Sequence, residues 1–333
     1  MTRDVGSLLA QAASLRLWAH RTGWLATARL DGPVVSVGNL GVGGSGKTPV
    51  VRRVAELLRD AGERVAVLSR GYRGAFRGEA LVVSEGAEPL VPAAAAGDEP
   101  VMLARMLPGV IVAVGRRRDR VGRAVEARFG RVTHVLDDGF QHLRLARDLD
   151  VVCLDVRDLR DRPLPLGRLR EGPRAVDRAD VVLLTRLEAA GEDELSSLED
   201  RLGRGRTHRV SRHVLGFRGR DGRLVPRPER AFLLAAIARP ERLERDVAGT
   251  GAVVAGRAFF PDHHAFRAGE LEGVVTLARA AGADALVTTA KDVVRLEAQD
   301  GVGLPLFVLE IAAVIEDEPR FRERLLAAVR RPA

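Results

Sequence analysis

A glycine-rich run from Gly41 to Thr48 is the segment whose residue types point most directly to chemistry. It fits the pattern G-x-x-x-x-G-K-[ST], in which backbone N–H groups surround the phosphates of a nucleoside triphosphate. The lysine of this pattern neutralises phosphate oxygens, and the hydroxyl after it binds Mg²⁺. The run, which we call the P-loop, therefore predicts a triphosphate and magnesium site. The predicted phosphate-binding residues are Gly41, Gly43, Gly44, Ser45, Gly46, Lys47 and Thr48.

The basic residues of the chain draw attention to the same lysine. Of the 53 lysines and arginines only two are lysines, Lys47 and Lys291. Lysine carries a compact, flexible ammonium, whereas arginine carries a planar guanidinium. A lysine in a chain that otherwise uses arginine therefore indicates a position that needs the smaller group. Lys47 is predicted to be catalytic, and the same reasoning singles out Lys291.

Acidic residues that suit a phosphotransfer site occur in two motifs. The stretch 132–136, which contains Val132, Val135 and Leu136, is typical of a buried strand and is followed by Asp137 and Asp138. Neighbouring acids on an extended chain point to opposite sides, so we assign Asp137 to magnesium and Asp138 to the substrate. Asp98 opens a predicted helix, either as its N-cap or as the base that takes a proton from an acceptor hydroxyl. The residues alone favour the cap.

A histidine pair, His263 and His264, follows Asp262 far along the chain. Zinc is disfavoured because neither a cysteine nor a third histidine is near. The pair is either a surface feature or the source of a histidine that contacts a catalytic carboxylate, and the residues leave both interpretations open.

Alternating strand and helix patterns between residues 31 and 150 must position these groups. They predict an α/β fold, in which a parallel sheet carries helices on both faces and binds ligands at the carboxyl ends of its strands. Residues 151–333 are predicted to form a second, smaller α/β unit. A β-hairpin near 208–226 turns at Arg220-Asp221-Gly222 and is the predicted linker.

Composition limits the possible partners of the protein and the classes of fold it can have. The net charge is +8, but only 4% of the 333 residues are aromatic, which disfavours nucleic acid. The lone cysteine, Cys153, excludes a disulfide framework, and the longest apolar runs are too short to span a bilayer. Residues 1–30 predict an amphipathic helix that contains both tryptophans, Trp18 and Trp24. This helix either packs on the protein or lies on an anionic membrane, and the segment by itself favours packing.

Several segments, in order along nearly the whole chain, together resemble the tetraacyldisaccharide 4'-kinase (lipid A 4'-kinase) family. The most specific is Asp137-Asp138-Gly139-Phe140-Gln141-His142, which ordinary P-loop proteins lack. The others are Val37-Gly38-Asn39, the P-loop with Pro49, Ser69-Arg70-Gly71-Tyr72, Gly97-Asp98-Glu99-Pro100, Pro165-Leu166-Gly167-Arg168-Leu169-Arg170-Glu171, Phe260-Pro261-Asp262-His263-His264 and Thr289-Ala290-Lys291-Asp292.

The resemblance implies ATP- and Mg²⁺-dependent phosphorylation of the 4'-hydroxyl of the tetraacyldisaccharide 1-phosphate precursor of lipid A. It implies a P-loop core joined by a two-stranded linker to a second unit that closes over the active-site cleft. It also implies peripheral attachment to the anionic cytoplasmic face of the inner membrane through the N-terminal helix, with no protein partner. The alternative function is a P-loop switch or chaperone NTPase that acts on a protein.

The resemblance also implies roles for individual residues. Asp98 becomes the base that activates the acceptor hydroxyl, and His263 becomes its partner from the second unit. Residues expected to line the site or contact the sugar are Asp138, Gln141, His142, Glu171, Arg70 and Tyr72. The chain departs from the family pattern at Ala290, where a glutamate is common, and at 235–240, where the family is richer in glycine.

Overall fold

The computed structural model describes residue 15 and residues 18–20, 22–42, 46–296 and 303–330. The chain forms two compact units. The first consists of the described residues up to Ser211 together with those from Ala313 onward, and the second runs from Arg212 to Ala312.

A mostly parallel sheet forms the centre of the first unit. In space its strands follow the order β3-β4-β2-β5-β1-β6-β7-β8; β3 pairs antiparallel with β4, and the other pairings are parallel. The carboxyl ends of β1, β2 and β5 therefore share one edge, which is where ligands bind in such sheets. The strands are β1 (Val34–Asn39), β2 (Val65–Ser69), β3 (Leu81–Glu85), β4 (Ile111–Val114), β5 (Thr133–Asp137), β6 (Leu149–Asp155), β7 (Val181–Thr185) and β8 (Thr207–Arg218).

The second unit contains a smaller parallel sheet. β10 lies between β11 and β12, and β12 pairs in turn with β13, all in parallel. A short strand, β9, pairs antiparallel with the end of β8 and forms the predicted hairpin. The strands are β9 (Leu224–Val225), β10 (Arg230–Ala235), β11 (Val253–Phe259), β12 (Ala285–Thr289) and β13 (Leu306–Ile315).

Helices connect these strands. They are α1 (Lys47–Asp60), α2 (Ala93–Ala96), α3 (Asp98–Met106), α4 (Arg118–Phe129), α5 (Glu192–Leu202), α6 (Pro240–Gly249), α7 (Ala268–Ala280), α8 (Ala290–Leu296) and α9 (Glu318–Val329). Short 3₁₀ helices occur at Asp158–Arg160, Pro173–Arg178, Leu187–Ala189 and Arg204–Arg206. None of the helices within the described ranges is long and apolar enough to cross a membrane.

Burial patterns explain why the sheets need helices on both faces. Every residue of β1 is buried, as in a parallel strand covered on each side. In β10 alternate residues enter two different cores: Phe232 and Leu234 pack with α7, whereas Ala231 and Leu233 pack with α6. The predicted α/β class with its smaller second unit is confirmed.

The predicted boundary between the units, near residue 150, is wrong. β6 and β7 pair in parallel beside β1, so residues 151–211 extend the sheet of the first unit and belong to it. The chain enters the second unit within β8 and leaves it within β13. Most of the predicted N-terminal helix lies outside the described residues, although residue 15 and residues 18–20 are helical.

Candidate active site

The P-loop connects the end of β1 to the start of α1. Gly46 precedes the helix in a left-handed conformation, with φ of 80°, and Lys47 and Thr48 form its first turn. That conformation favours glycine, and it turns the backbone so that the amide groups of the helix N-terminus face the loop. The predicted phosphate contacts of Gly43, Gly44 and Ser45 lie outside the described residues.

Lys47 is held by two acceptors in the first unit. Its Nζ atom donates to Oδ1 of Asn39 at 2.8 Å and lies 2.9 Å from Oδ1 of Asp138. Asn39 in turn donates from Nδ2 to the carbonyl oxygen of Gly41 at 2.7 Å. Asn39 therefore links the lysine to the first residue of the P-loop.

A second segment of the first unit supports the start of the loop. The N–H group of Val42 donates to the carbonyl oxygen of Arg168, and Gly41 bridges antiparallel to Leu169. A Cβ atom at Gly41 would lie 3.3 Å from the carboxylate of Asp158, so this glycine allows a close approach. Burial and the nearby carboxylate of Asp155 raise the pKa of Asp158 to about 6.

Asp137, the predicted magnesium ligand, is buried at the carboxyl end of β5. Its Oδ2 atom accepts a hydrogen bond from the hydroxyl of Ser69 at 2.8 Å. Burial raises the pKa of Asp137, and the neighbouring Asp138 adds to the effect, while Ser69 and Lys47 oppose it. A buried carboxylate in this state gains from a cation placed beside it.

The backbone at Asp137 and Asp138 departs from the predicted extended geometry. Asp138 has a φ of 57°, so the strand ends before it and the two acids are separated by a left-handed turn and not by strand alternation. Its carboxylate contacts Lys47 and, at 2.7 Å, the Nη1 atom of Arg170. Burial works against ionisation of Asp138, but Lys47 and Arg170 outweigh it and lower its pKa.

Two arginines near these acids were absent from the predicted site. Arg118 is 5% exposed at the start of α4; burial lowers the pKa of its guanidinium, and Asp137 and Asp138 act against that. Arg170 bridges Asp138 to Oε1 of Gln141. Arg170 lies in the segment Pro165–Glu171 on which the resemblance partly rests, so that segment could have pointed to it. Nothing in the local spacing around Arg118 distinguishes it from the other arginines, because the acids that influence it lie far from it in sequence.

Asp98 lies at the first position of α3, and the residue at the N-cap is Gly97. Gly97 has a φ of 94°, and a Cβ atom there would approach the carbonyl oxygen of Tyr72 to 2.5 Å. The cap interpretation of Asp98 therefore fails, because a glycine is required at the capping position. The close approach also brings the loop after β2 against the start of α3. Tyr72 is 64% exposed on that loop, and Arg70 is exposed beside it.

The remaining predicted substrate residues have contacts within the first unit. Gln141 donates from Nε2 to the carbonyl oxygen of Asn39 at 2.9 Å, and the N–H of His142 donates to the carbonyl oxygen of Gly139. Glu171 accepts two hydrogen bonds of 2.6 Å from Arg178, whose guanidinium lies 3.8 Å from the ring centroid of Phe140. Glu171 is thus committed to a mostly buried ion pair.

In the second unit the two neighbouring histidines have different environments. His264 stacks on Phe260 and its Nε2 atom lies 2.8 Å from Oε2 of Glu270, which caps α7. His263 has a φ of 65°, and its Nε2 atom lies 3.0 Å from the Nζ atom of Lys291. His264 therefore belongs to the packing of its unit, and His263 is the member of the pair with the more reactive surroundings.

Magnesium fits the donor atoms at the P-loop. Asp137 and Thr48 would supply a carboxylate and a hydroxyl oxygen, the hard ligands that Mg²⁺ prefers. Within the described ranges no group of three or more His, Cys, Asp or Glu side chains could enclose a metal ion.

Comparison with known proteins identifies the family. The family model described as "Tetraacyldisaccharide-1-P 4'-kinase" matches residues 3–330. A tetraacyldisaccharide 4'-kinase of Anaeromyxobacter dehalogenans (strain 2CP-C) is 47% identical, over 86% of this chain and 78% of that protein. One from Anaeromyxobacter sp. (strain Fw109-5) is 43% identical, over 97% of this chain and 90% of that protein.

A solved structure agrees with these matches. The crystal structure of LpxK from Aquifex aeolicus in complex with ATP superposes with a TM-score of 0.81 and 29% identity, and covers 98% of each chain. The family-model match, over residues 3–330, extends through both units. The chain therefore belongs to the tetraacyldisaccharide-1-P 4'-kinase family.

Proposed function

We propose that this protein transfers the γ-phosphate of ATP to the 4'-hydroxyl of the tetraacyldisaccharide 1-phosphate. The observation that carries the proposal is the position of Lys47, which lies at the start of the helix after the P-loop and contacts Asp138 of the family's acidic motif. In this arrangement the donor phosphates bind at the P-loop, and the acidic motif lies directly beside them.

The donor half of the reaction needs charge neutralisation more than covalent chemistry. Lys47 exchanges its contact with Asp138 for phosphate oxygens, and Asn39 keeps its ammonium beside the loop. Arg118, buried close to the two acids, adds a fixed positive charge. Mg²⁺, held by Thr48 and Asp137, would neutralise the charge that develops on the phosphates.

The acceptor half needs a carboxylate that receives a proton. The 4'-oxygen attacks the γ-phosphorus, and its proton passes to Asp98. The bond between the γ-phosphorus and the oxygen that bridges it to the β-phosphate breaks, and ADP leaves with that oxygen. The close packing of Gly97 against Tyr72 supports this role, because it fixes the start of α3. Arg70, Tyr72, Gln141 and His142 are proposed to contact the sugar head group, and His263 is proposed to assist Asp98.

The acyl chains of the acceptor require access to a membrane. Trp18 and Trp24 are 50% and 79% exposed, and their ring centroids lie 6.0 Å apart. Exposed tryptophans favour the boundary between lipid and water, and a net charge of +8 favours an anionic surface. We therefore propose peripheral attachment to the cytoplasmic face of the inner membrane through the N-terminal segment.

The test is a detergent assay with ATP and the tetraacyldisaccharide 1-phosphate, read by mass spectrometry for the gain of one phosphate. Asp98→Asn is expected to lower kcat by roughly 10²- to 10⁴-fold, the usual contribution of a general base, with little change in the KM for ATP. Glu99→Gln, next to it in the same helical turn, is the matched control and should keep its activity. If Asp98→Asn were as active as Glu99→Gln, the assignment of Asp98 as the base would be refuted. Rapid ATP turnover that does not depend on the lipid would instead favour a switch NTPase.

A further inference from the structure

The second of the two lysines lies in a compact charged cluster in the second unit. Its Nζ atom is 3.0 Å from Nε2 of His263 and 3.7 Å from Oδ1 of Asp262. The same Nε2 atom is 3.8 Å from Oδ1 of Asp262. Of these three distances, the one between Lys291 and His263 is within hydrogen-bonding range, so Nε2 of His263 is bound by the lysine and not by the carboxylate of Asp262.

The chemistry of an ammonium fixes the direction of that hydrogen bond. A lysine ammonium has three donors and no acceptor, so Nε2 of His263 must accept. A neutral imidazole that accepts at Nε2 carries its proton on Nδ1. His263 in this state can donate through Nδ1 but has no lone pair available to receive a proton from a substrate hydroxyl.

Buried groups beneath the cluster hold both partners in place. Asp292, which is 0% exposed, accepts hydrogen bonds from the hydroxyl of Thr289 and the N–H of Ala236, and pairs with Arg295. Arg295 also donates to the carbonyl oxygens of Ala236 and His264. The N–H of His263 donates to the same carbonyl of Ala236 at 3.0 Å. The start of α8, which carries Lys291, is therefore tied to the loop that carries His263.

The backbone of His263 provides an independent sign of function. Its φ of 65° lies in the left-handed region, which costs free energy in residues other than glycine and persists where the surrounding structure enforces it. The lysine at position 291 is a second such sign, since all but two of the 53 basic residues of the chain are arginines. A guanidinium is planar and larger, and would not place one donor on Nε2 in the same space.

We propose that Lys291 is a positioning residue that holds His263 as the Nδ1–H tautomer, so that His263 acts as a hydrogen-bond donor and not as the base. The proposal rests on the proposed role of His263 in phosphoryl transfer. It leaves proton removal to Asp98, and assigns to His263 the orientation of a carboxylate or phosphoryl oxygen through Nδ1–H.

The tautomer can be measured without any substrate. In uniformly ¹⁵N-labelled protein, long-range ¹H–¹⁵N spectra report the protonation of each ring nitrogen, and the chain has only seven histidines. His263→Gln assigns the signal, and His264 is the internal reference. The wild-type protein should show a protonated Nδ1 and a bare Nε2, and Lys291→Met should show a mixture of tautomers at His263. A wild-type Nε2–H signal, or an unchanged pattern in Lys291→Met, would refute the proposal.

Kinetics then test whether the tautomer matters. Lys291→Met should lower kcat by roughly 10- to 100-fold without changing the KM for ATP, which is less than the loss of a whole acid–base group. Arg223→Met removes a charge from a side chain that is 87% exposed in the same unit, and is the matched control. A kcat equal to that of the control, together with a lost tautomer preference, would show that the contact is structural and would overturn the positioning role.

Chemical rescue distinguishes the ammonium from a general effect on folding. In Lys291→Cys, 2-bromoethylamine alkylates the thiolate with loss of bromide and restores an amine of nearly the original length. Native Cys153 is fully buried, and burial raises the pKa of its thiol to about 12, so it does not compete. The amine adduct should recover both kcat and the Nδ1–H signal, whereas the neutral adduct from 2-bromoethanol should recover neither. Equal recovery with both reagents would contradict the proposal.

Discussion

The two lysines of the chain lie at two junctions of the same kind, one in each unit. Lys47 begins α1 after β1, and Lys291 is the second residue of α8, directly after β12. Both strands lie within parallel sheets, and both lysines contact an aspartate. The two junctions differ in the loop that precedes the lysine and in the partners of the nearby buried aspartate, which is Asp137 in the first unit and Asp292 in the second.

The loop decides what each lysine can bind. Between Asn39 and Lys47 the chain inserts a glycine-rich loop, whose last residue is left-handed Gly46. Between Thr289 and Lys291 there is one alanine, and the hydroxyl of Thr289 accepts from the N–H of Asp292. The first junction can surround phosphates with amides, whereas the second has its amide occupied and offers only the side chain of Lys291.

The two buried aspartates also differ in the partners that the protein supplies to them. Asp292 accepts hydrogen bonds from a hydroxyl and an N–H and pairs with an arginine, so the protein itself supplies its partners, although burial outweighs them and raises its pKa. Asp137 accepts one hydrogen bond, from Ser69, among those that the described residues provide. A carboxylate that is satisfied internally holds a scaffold together, and one that is not is suited to a cation that arrives with the substrate.

The largest expected effect distinguishes the role of Lys47 from that of Lys291. Lys47→Met should lower kcat/KM on the order of 10³-fold, because it removes a charge aimed at the phosphates, and should weaken ATP binding. Lys291→Met should bind ATP as the wild type does. Steady-state kinetics and calorimetric titration with ATP measure both effects. Weakened ATP binding in Lys291→Met, with normal binding in Lys47→Met, would reverse the roles of the two junctions.

The second prediction tests how much the ion pair with Arg295 stabilises buried Asp292. Arg295→Met should destabilise the second unit by about 3–5 kcal/mol, because it leaves Asp292 buried without its main cation. Ser69→Ala, which removes one hydrogen bond from Asp137, should cost only about 1 kcal/mol. Both tryptophans lie at the N-terminus, so amide hydrogen exchange is the appropriate measurement, read in peptides from 212–312 for Arg295→Met and in peptides of the first unit for Ser69→Ala.

A double variant provides the control for that prediction. Adding Asp292→Asn to Arg295→Met removes the uncompensated charge and should restore part of the lost protection. Equal protection in the wild type and Arg295→Met would show that Asp292 is not held by this pair.

The smallest expected effect concerns the carboxyl beneath the P-loop. Asp158 has its pKa raised from 3.8 to about 6 by burial and Asp155. The folded state therefore binds this proton more tightly than the unfolded chain does, and stability falls as the pH rises through that window. Asp158→Asn should flatten the fall, as measured by urea unfolding at a series of pH values.

Asp161 is the matched control for Asp158. A hydrogen bond from the N–H of Arg162 lowers the pKa of Asp161, so its contribution to stability is lost as the pH falls instead. Asp161 also raises the pKa of Asp158, but by less than burial and Asp155 do, so Asp161→Asn should leave most of the fall that we assign to Asp158 in place. Loss of that fall in Asp161→Asn, with Asp158→Asn unchanged, would contradict the assignment.

Much of the fold follows from local pattern. The strand predicted at 132–136 differs from β5 by one residue at each end, and the hairpin predicted near 208–226 is formed by β8 and β9. Local pattern does not predict strand β3 or helices α2, α6 and α8. β3 is a short antiparallel strand paired with β4. α8 has only seven residues and begins at the polar segment 289–292, whose helical start depends on the contacts of Asp292.

The sequence by itself determined the P-loop, the parallel α/β class and the family, because each depends on residue types at fixed short spacings. Only the tertiary structure decided that His263, and not His264, meets Lys291, that Gly97 displaces Asp98 from the cap, and that residues 151–211 extend the first sheet. The left-handed turn at Asp138 and the contacts of Arg118 and Arg170 also belong to this second group. These features depend on turns and on contacts between residues distant in the chain, which no local spacing encodes.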